Sequence, residues 1–366
     1  MDKTDITIIG AGVVGLAVAA RVSEKKKQTV LVEKNETFGR ETSSRNSEVI
    51  HSGIYYPKNS LKAKLCLRGS SMLYELCERN GIGFSRTGKL IVAASPGEIE
   101  SLERLFKNGR ENGVEGLELL SGKDLARLEP SVSGKAAIHS PDTGIIDSHS
   151  LMKYLEFKAR ENNCLVSYNS ELTGIEKTNN GYKLSVRDSN NAVFSFQSGV
   201  LINCAGLNAH AVAELAGIKK YEVVYLKGEY FSLSAPPGKM PSRLIYPLPT
   251  ETGLGIHTVK DLAGRVRIGP NSFYTARLDY SVDANHKEEF YGSITKLLPF
   301  IGEEDLEPDM AGIRPEIKKE AGATADFVIA DERNAGFSGF INLIGISSPG
   351  LTAATAIADY VYSVLS

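Results

Sequence analysis

Three glycines near the start of the chain have the spacing of a phosphate-binding turn. Gly10, Gly12 and Gly15 form G-x-G-x-x-G directly after an apolar, β-branched run and directly before a helical pattern. There the backbone can approach a pyrophosphate, and the free N–H groups at the helix N-terminus point at it. Glu33 follows the next apolar run, where a carboxylate can accept hydrogen bonds from an adenosine ribose. The pattern predicts a bound dinucleotide, either NAD or FAD.

Three later segments favour FAD. Residues 39–53 are dense in glycine and small polar side chains just after the acid, as expected of backbone that runs beside a flavin. Residues 201–206 are an apolar run that closes on Ala205 and Gly206, which suits a close turn over a cofactor. Residues 347–352 open the last helical pattern, whose free N–H groups can stabilise negative charge on the pyrimidine ring of a reduced flavin. Jointly these segments predict one long cofactor.

The two ends of the chain carry the elements that would position this cofactor. A strand at 6–9, a helix at 14–27 and a strand at 29–32 form a βαβ unit. A strand at 340–344 and a helix at 351–365 bring the same α/β character at the other end. We therefore predict an α/β fold in which both ends build one nucleotide-binding domain.

The middle of the chain has a different pattern. Turn signals of the hairpin type at 179–181 and 189–191 predict a β-meander over residues 165–205. Further strand-like runs between 221 and 326 are separated by proline and glycine, and they predict a largely antiparallel sheet. The elements predicted in this region are helices at 61–80, 96–112 and 151–162 and strands at 89–93, 229–233, 244–246, 255–258 and 266–268.

These patterns predict two domains. The FAD-binding domain is discontinuous and comprises residues 1–80, 146–220 and 327–366. The substrate domain is inserted into it and comprises residues 81–145 and 221–326.

Composition excludes several other classes of protein. The 42 basic and 44 acidic residues leave a formal net charge of −2, which argues against a dedicated nucleic-acid binder. The four cysteines are far apart, so no zinc or dithiol site is predicted, no metal is expected, and a reducing compartment fits best. No apolar stretch reaches the roughly 20 residues of a membrane helix, and no cleavable leader precedes the first strand. We expect a cytoplasmic protein.

Motifs along nearly the whole chain resemble those of one flavoprotein family. They are SSRNSEVIHSGIYYPKNSLKAKLCLRG (43–69), GKLIVA (88–93), KGEYF (227–231), IYPLP with LGIH (245–257), IGPN (268–271), GIRP (312–315) and SSPGLTA (347–353). These stretches resemble the L-2-hydroxyglutarate dehydrogenase/oxidase family of D-amino acid oxidase-like flavoproteins. The resemblance implies a Rossmann-like FAD-binding domain with an inserted, mainly antiparallel β-sheet substrate domain. It also implies oxidation of a 2-hydroxy acid, with electrons passed to quinone or oxygen rather than to NAD.

The glycine pattern and the resemblance together predict the residues that contact FAD. These are Gly10, Gly12, Val13, Val14, Gly15, Glu33, Lys34, Ser43, Ser44, Arg45, Asn46, Ser47, Ala205, Gly206, Gly312, Pro349, Gly350, Leu351 and Thr352.

Oxidation of a 2-hydroxy acid needs a base for the hydroxyl proton, and imidazole is well suited near neutral pH. Of the six histidines, His51 lies in the predicted flavin-flanking segment and His257 ends a predicted strand, and the resemblance favours both as catalytic residues. Arg314 is the third predicted catalytic residue, because a guanidinium can grip a carboxylate through two parallel hydrogen bonds. Further candidates for substrate contacts are Tyr55, Tyr56, Lys62 and Tyr230.

Two positions depart from the family's pattern. Glu48 stands where the family usually has glycine, so its side chain either points away from the pocket or reshapes it. Thr258 and Val259 follow His257, where an aromatic residue and threonine are common in the family. The resemblance implies that L-2-hydroxyglutarate is oxidised to 2-oxoglutarate by hydride transfer from C2 to flavin N5, and these two departures leave another 2-hydroxy acid open as the substrate.

Three alternative functions stay open at this stage. An FAD-dependent glycerol-3-phosphate dehydrogenase shares the I-H-x-G and G-x-R-P patterns, but that family has an arginine where Tyr55 stands. An amino acid or amine oxidase matches residues 46–56 less well. A flavin-binding protein without turnover is the third alternative. The sequence also leaves open covalent attachment of FAD, the oligomeric state, and peripheral contact with the inner face of a membrane.

Overall fold

The structure is a computed structural model that describes residues 2–234, 238–250, 253–318 and 325–365. Its strands, in chain order, are β1 (Lys3–Ile9), β2 (Thr29–Val32), β3 (Val49–Ile50), β4 (Phe84–Ser85), β5 (Lys89–Ala93), β6 (Glu118–Ser121), β7 (Ala136–Ser140), β8 (Gly144–Ile146), β9 (Leu165–Ser167), β10 (Ser170–Thr178), β11 (Gly181–Asp188), β12 (Val193–Asn203), β13 (Val223–Leu233), β14 (Leu244–Pro247), β15 (His257–Lys260), β16 (Val266–Gly269), β17 (Phe273–Thr275), β18 (Leu306–Ile317), β19 (Val328–Asp331) and β20 (Phe340–Ile344). Its α-helices are α1 (Val13–Val22), α2 (Leu61–Asn80), α3 (Ile99–Glu111), α4 (Gly122–Leu128), α5 (Ser148–Glu161), α6 (Ala209–Leu215), α7 (Lys287–Ile294) and α8 (Gly350–Val364).

The largest sheet in the described part of the chain joins strands from both ends. β9, β2, β1, β12 and β20 are parallel neighbours in that order. β10, β11 and β19 add antiparallel pairs to the same sheet. This arrangement confirms the predicted α/β character of the two ends.

Helices cover one face of this sheet and bury its core. α1 packs on α8 and α5, and α2 packs on α8. Ile8, Leu16 and Ile357 are fully buried in this layer, and burying each such side chain stabilises the fold by about 1.5–3 kcal/mol. The layer fixes the carboxyl ends of the parallel strands along one edge, where ligands bind in open α/β sheets.

Two smaller sheets come from the residues assigned to the inserted domain. In one, the strand order is β15, β16, β13, β17, and β18 also pairs with β13. Every pairing in this sheet is antiparallel. In the other, β14, β5, β7 and β6 follow in order. A three-stranded sheet of β3, β8 and β4 combines residues assigned to both domains. The domain boundaries themselves stay a prediction.

Several elements differ from their prediction. The first helix ends at Val22, not at residue 27, and gives way to a 3-10 turn that closes on Lys26 in the left-handed region. β14 pairs in parallel with β5 and so leaves the predicted antiparallel sheet. His257 opens strand β15 rather than ending a strand, because Gly255 turns the chain with a φ of +72°. β18 was not predicted, since its two prolines disfavour a strand assignment.

Candidate active site

Two adjoining cavities lie along the edge that carries the glycine turn. The larger has a volume of about 1840 Å³ and the smaller about 260 Å³. Both are lined by Gly12, Thr42, Ser43, Cys204 and Gly206, so they adjoin at the glycine turn. The larger cavity exceeds the roughly 300–1,000 Å³ of a usual small-molecule site. The pair therefore suits one long ligand with room for a second, smaller one.

The glycine turn brings the start of α1 against the end of β1. Gly10 has a φ of +101°, and a Cβ on Gly15 would lie 1.9 Å from the carbonyl oxygen of Gly10. Only glycine fits this approach, so Gly15 contributes close packing and lines neither cavity. Ser43 joins the turn from the next loop, where its Oγ accepts a hydrogen bond from the backbone N of Val13 at 3.0 Å.

Glu33 follows β2 and faces the smaller cavity. Its carboxylate is buried and accepts hydrogen bonds from the backbone N of Ala11 at 2.7 Å and of Asn35 at 2.9 Å. A carboxylate offers about four lone-pair positions, so these bonds leave capacity for a ribose hydroxyl. Lys34 lines the same cavity and pairs with Glu41 at 2.7 Å.

Thr352 ties the predicted flavin-flanking segment to the start of α8. Its Oγ1 accepts a hydrogen bond from the backbone N of His51 at 3.1 Å and donates one to the carbonyl oxygen of Val49 at 3.2 Å. On the other side of the cavity, a Cβ on Gly312 would lie 2.2 Å from the carbonyl oxygen of Arg45. Residues 42–51 are thus held between α8 and β18.

Most of the predicted cofactor residues border these cavities. The larger cavity is lined by Gly12, Val13, Val14, Ser43, Arg45, Asn46, Ser47, Gly206, Gly312, Pro349, Gly350, Leu351 and Thr352, and the smaller by Gly10, Glu33, Lys34 and Ala205. Besides Gly15, Ser44 is an exception, because its hydroxyl donates to the carbonyl oxygen of Glu41 and the residue lines neither cavity. The residues present fit a dinucleotide laid across the glycine turn.

His257 lines the larger cavity with a fixed ring orientation. It stacks on Tyr246 with ring centroids 3.7 Å apart and planes at 18°. Its Nδ1 lies 2.6 Å from the carbonyl oxygen of Gly255, so Nδ1 carries the proton and Nε2 the lone pair. Burial lowers the pKa of His257 to about 3, with nearby Lys89 and Arg314 acting in the same direction. The ring is therefore neutral and can accept a proton at Nε2.

His51 lines the same cavity and is also buried. Its Nε2 lies 3.4 Å from the hydroxyl of Ser348, and its Nδ1 has no hydrogen-bond partner among the described residues. Burial holds the pKa of His51 well below its usual value, and the neighbouring Lys89 and His257 act in the same direction. Two neutral imidazoles thus face one cavity.

Arg314 and two tyrosines complete the polar lining. Arg314 lies on β18 and donates from Nη2 to the hydroxyl of Ser272 at 3.1 Å. Within the described ranges, Arg314 Nε and the hydroxyls of Tyr55 and Tyr246 are buried without a hydrogen-bond partner. Buried polar atoms are almost always satisfied, so these atoms point to a polar ligand. The other predicted substrate contacts, Tyr56, Lys62 and Tyr230, line the same cavity.

Sequence reasoning missed two residues of this region. Tyr246 lies in the IYPLP motif but was not singled out, because a tyrosine in a short apolar strand is usually core. Lys89 opens β5 and is fully buried behind the cavity beside Tyr55 and Tyr246. The available signal was a lysine at the start of a strand that is otherwise apolar.

Glu48 points away from the cavity. Its side-chain Oε1 accepts hydrogen bonds from the backbone N of Ser148 at 3.0 Å and from the Ser148 hydroxyl at 2.6 Å. Its φ of +54° lies in the left-handed region that glycine adopts without strain. The presence of Glu48, where the family usually has glycine, therefore affects the backbone at this turn and the start of α5. It does not affect the lining of the pocket.

Two further observations concern metals and membranes. Among the described residues, no group of three or more His, Cys, Asp or Glu side chains is placed to hold a metal ion. None of the helices in the described ranges has both the length and the apolar character needed to cross a membrane.

The sheet, the glycine turn and the adjoining cavities are those of a dinucleotide-binding protein. A family model described as FAD dependent oxidoreductase matches residues 5–363, and the chain belongs to this family. FAD is therefore its cofactor, which confirms the choice of FAD over NAD.

Similar proteins narrow the relationship further. The chain is 38% identical to the mitochondrial L-2-hydroxyglutarate dehydrogenase of Arabidopsis thaliana, over 98% of this chain and 83% of the relative. It is 30% identical to a glycerol 3-phosphate dehydrogenase of Caloramator mitchellensis, over 99% of this chain and 73% of the relative. Among solved structures, it is similar to the L-alpha-glycerophosphate oxidase of Mycoplasma pneumoniae with FAD bound, with a TM-score of 0.89 and 29% identity over 100% of this chain and 94% of the other. The predicted fold class and enzyme class are confirmed.

Proposed function

We propose that the protein oxidises L-2-hydroxyglutarate to 2-oxoglutarate. The observation that carries this proposal is that His51, Tyr55, Tyr246 and Arg314 all line one cavity beside the predicted flavin segment. Each of them has a buried polar atom without a hydrogen-bond partner among the described residues. A hydroxy acid supplies the matching groups, namely a carboxylate for the guanidinium and a hydroxyl for an imidazole. The similarity to the Arabidopsis thaliana dehydrogenase supports the choice of substrate.

Arg314 binds the carboxylate next to the reacting carbon. Its Nη2 donates to Ser272, and its Nε has no hydrogen-bond partner in the described part of the chain but lies 3.9 Å from Oε1 of Glu316. A planar guanidinium anchored in this way can present a two-point grip that fixes the orientation of C2. We assign the second carboxylate of the substrate to Lys62 and Tyr56, which line the same cavity.

His257 takes the hydroxyl proton at Nε2. Its Nδ1 is committed to Gly255, so the ring arrives in the tautomer that a base requires. A dianionic substrate brings negative charge to the imidazole and raises the pKa from its low value in the free enzyme. FAD would be held along the glycine turn and the start of α8, and it would supply the acceptor for the hydride from C2. With the hydroxyl proton on His257, a C=O bond would replace the C–H and O–H bonds. His51 lies beside Ser348 at the start of α8, where it orients the hydroxyl and shares the role of base.

Oxidation of glycerol 3-phosphate is the second candidate function. The similarity to the Caloramator mitchellensis dehydrogenase and to the Mycoplasma pneumoniae oxidase favours it. Tyr55 argues against it, because this chain has an uncharged phenol at the position where the glycerol-3-phosphate dehydrogenase family has an arginine. A phosphate group would need a cation there. Burial raises the pKa of Tyr55 well above its usual value, so the side chain stays uncharged.

The test is the steady-state rate of the FAD-loaded enzyme with an artificial electron acceptor. L-2-hydroxyglutarate, its D-enantiomer, glycerol 3-phosphate and glycine are compared at equal concentrations. We expect the highest kcat/KM with L-2-hydroxyglutarate. A higher value with glycerol 3-phosphate would favour the second candidate, and turnover of glycine would make the protein an amine oxidase.

For the electron acceptor we propose a quinone or oxygen. Reoxidation of the reduced enzyme by a soluble quinone, by oxygen and by NAD in parallel tests this assignment. We also propose a reducing compartment such as the cytoplasm, because all four cysteines are free and buried. Peripheral contact with a membrane follows if a quinone proves to be the acceptor, and vesicle co-sedimentation tests it.

A further inference from the structure

Lys89 is a buried cation behind the active site. It opens β5, its side chain has no exposure to solvent, and its Nζ has no hydrogen-bond partner among the described residues. The Nζ lies 4.5 Å from the ring centroid of Tyr55 and 4.7 Å from that of Tyr246. An ammonium without a hydrogen bond or counter-ion is costly to bury, so its presence calls for a role.

The groups around Lys89 are active-site groups. Tyr246 on β14 stacks on His257 of β15, and Tyr55 follows His51 along the same loop. Cys66 on α2 faces Lys89, but burial raises the pKa of that thiol to about 12, so it supplies no negative charge. On the neighbouring strand β7, Ser140 is the register partner of Lys89, and its hydroxyl is engaged with Ser52 and Thr143. The surroundings of Lys89 are thus aromatic or neutral.

We propose that Lys89 is a positioning residue, whose ammonium holds the rings of Tyr55 and Tyr246 from behind the cavity and places a positive charge beside the ring that stacks on His257. This inference rests on the proposed function for the chemistry that the imidazoles perform. The contact of Lys89 with the two tyrosine rings is of the cation–π type, which is strongest where water is excluded. Through Tyr246, the same contact supports the stacked ring of His257.

The pH range of the effect follows from the charge of Lys89. Burial lowers the pKa of Lys89 to about 7, so its ammonium is present below neutral pH and is lost as the pH rises through 7. The pKa of His257 is about 3 and that of His51 lies well below its usual value, so both imidazoles would take up protons only at acidic pH, where Lys89 is charged. The positive charge of Lys89 therefore adds to the effect of burial on both imidazoles, and at His257 also to that of Arg314.

The experiment measures the histidine titrations directly. The FAD-loaded protein with isotope-labelled histidine contains six imidazoles, which NMR can follow with pH and which single His→Asn variants assign. Wild type, Lys89→Met and Lys89→Arg are compared. In Lys89→Met, we expect the midpoints of His51 and His257 to rise by about one pH unit, the low end of the effect of a nearby charge. Lys89→Arg keeps the charge and should retain the wild-type midpoints.

A second readout follows catalysis in the same proteins. The acid limb of kcat/KM should move to higher pH in Lys89→Met and stay in place in Lys89→Arg. Unchanged histidine midpoints in Lys89→Met would overturn the inference, as would a rate that falls equally at every pH. If Lys89→Met does not bind FAD, Lys89→Gln takes its place. If Lys89→Met and Lys89→Gln both fail to bind FAD, Lys89 has a role in folding only, and this outcome would also overturn the inference.

The two readouts separate this inference from the proposed function. The NMR titration needs no substrate, so it decides the role of Lys89 even if L-2-hydroxyglutarate is not oxidised. Failure of the substrate assay in wild type would instead count against the proposed function alone.

Discussion

The Nδ1 of His257 lies 2.6 Å from the carbonyl oxygen of Gly255, and this contact decides which ring nitrogen can take a proton. Gly255 supplies the contact because its φ of +72° turns the chain just before β15. One local turn, within the LGIH motif, therefore forms both the loop and the ring that we propose as the base.

His257→Asn should separate positioning from proton transfer. The asparagine amide can still donate to Gly255 in place of Nδ1, but no acceptor remains at the position of Nε2. We expect flavin reduction by substrate to slow by about 10²- to 10⁴-fold, with FAD content unchanged. Stopped-flow absorbance measures the rate, and His149→Asn, at an exposed histidine, is the matched control. A wild-type rate in His257→Asn would remove the residue from proton transfer.

His51→Asn tests the second imidazole. The backbone N of His51 keeps its bond to Thr352, so the loop should fold as before. We expect normal FAD content and slower flavin reduction, because the ring that faces Ser348 is lost. Anaerobic stopped-flow kinetics measure this, and unaltered reduction kinetics would exclude a catalytic role for His51.

Arg314→Lys should weaken substrate binding more than turnover. An ammonium cannot supply the planar two-point grip, and a hydrogen bond to a charged group contributes about 1.5–3 kcal/mol. We expect KM to rise roughly 10- to 100-fold with a smaller change in kcat. Arg267→Lys on β16, whose side chain pairs with Asp309, is the matched control. An unchanged KM in Arg314→Lys would place that guanidinium outside the substrate site.

Glu48 can be tested through stability rather than activity. Glu48→Ala and Glu48→Gly both lose the bonds to Ser148, but only glycine relieves the left-handed backbone. We expect the glycine variant to be more stable than the alanine variant by about 1 kcal/mol, seen as a higher thermal midpoint. KM should match wild type in both variants. A changed KM would show that Glu48 acts on the pocket after all.

Local patterns sufficed for the nucleotide-binding part of the fold. The strand–glycine–helix sequence around Gly10 predicts its own geometry, because only glycine permits the contact between Gly10 and Gly15. α2, β5 and β20 were predicted with the bounds that the structure has. In α2, the apolar periodicity and the capping Ser60 act in the same direction. β5 and β20 are short, mostly apolar runs, which are typical of buried strands.

Local sequence patterns do not predict which strands pair when they are far apart in the chain. β18 contains Pro308 and Pro315 and becomes a strand only because β13 pairs with it along its length. Lys89 was missed for a related reason, since the sequence does not show that β5 lies directly behind Tyr55 and Tyr246. The resemblance supplied His51, His257 and Arg314 as candidates, and the structure places all three around one cavity.

The most direct test of the account is an anaerobic titration of the FAD-loaded protein with L-2-hydroxyglutarate. We expect the visible flavin absorbance to bleach in proportion to added substrate, with one 2-oxoglutarate formed for each flavin reduced, and the D-enantiomer to leave the spectrum unchanged. A flavin that stays oxidised with L-2-hydroxyglutarate while glycerol 3-phosphate bleaches it would contradict the account.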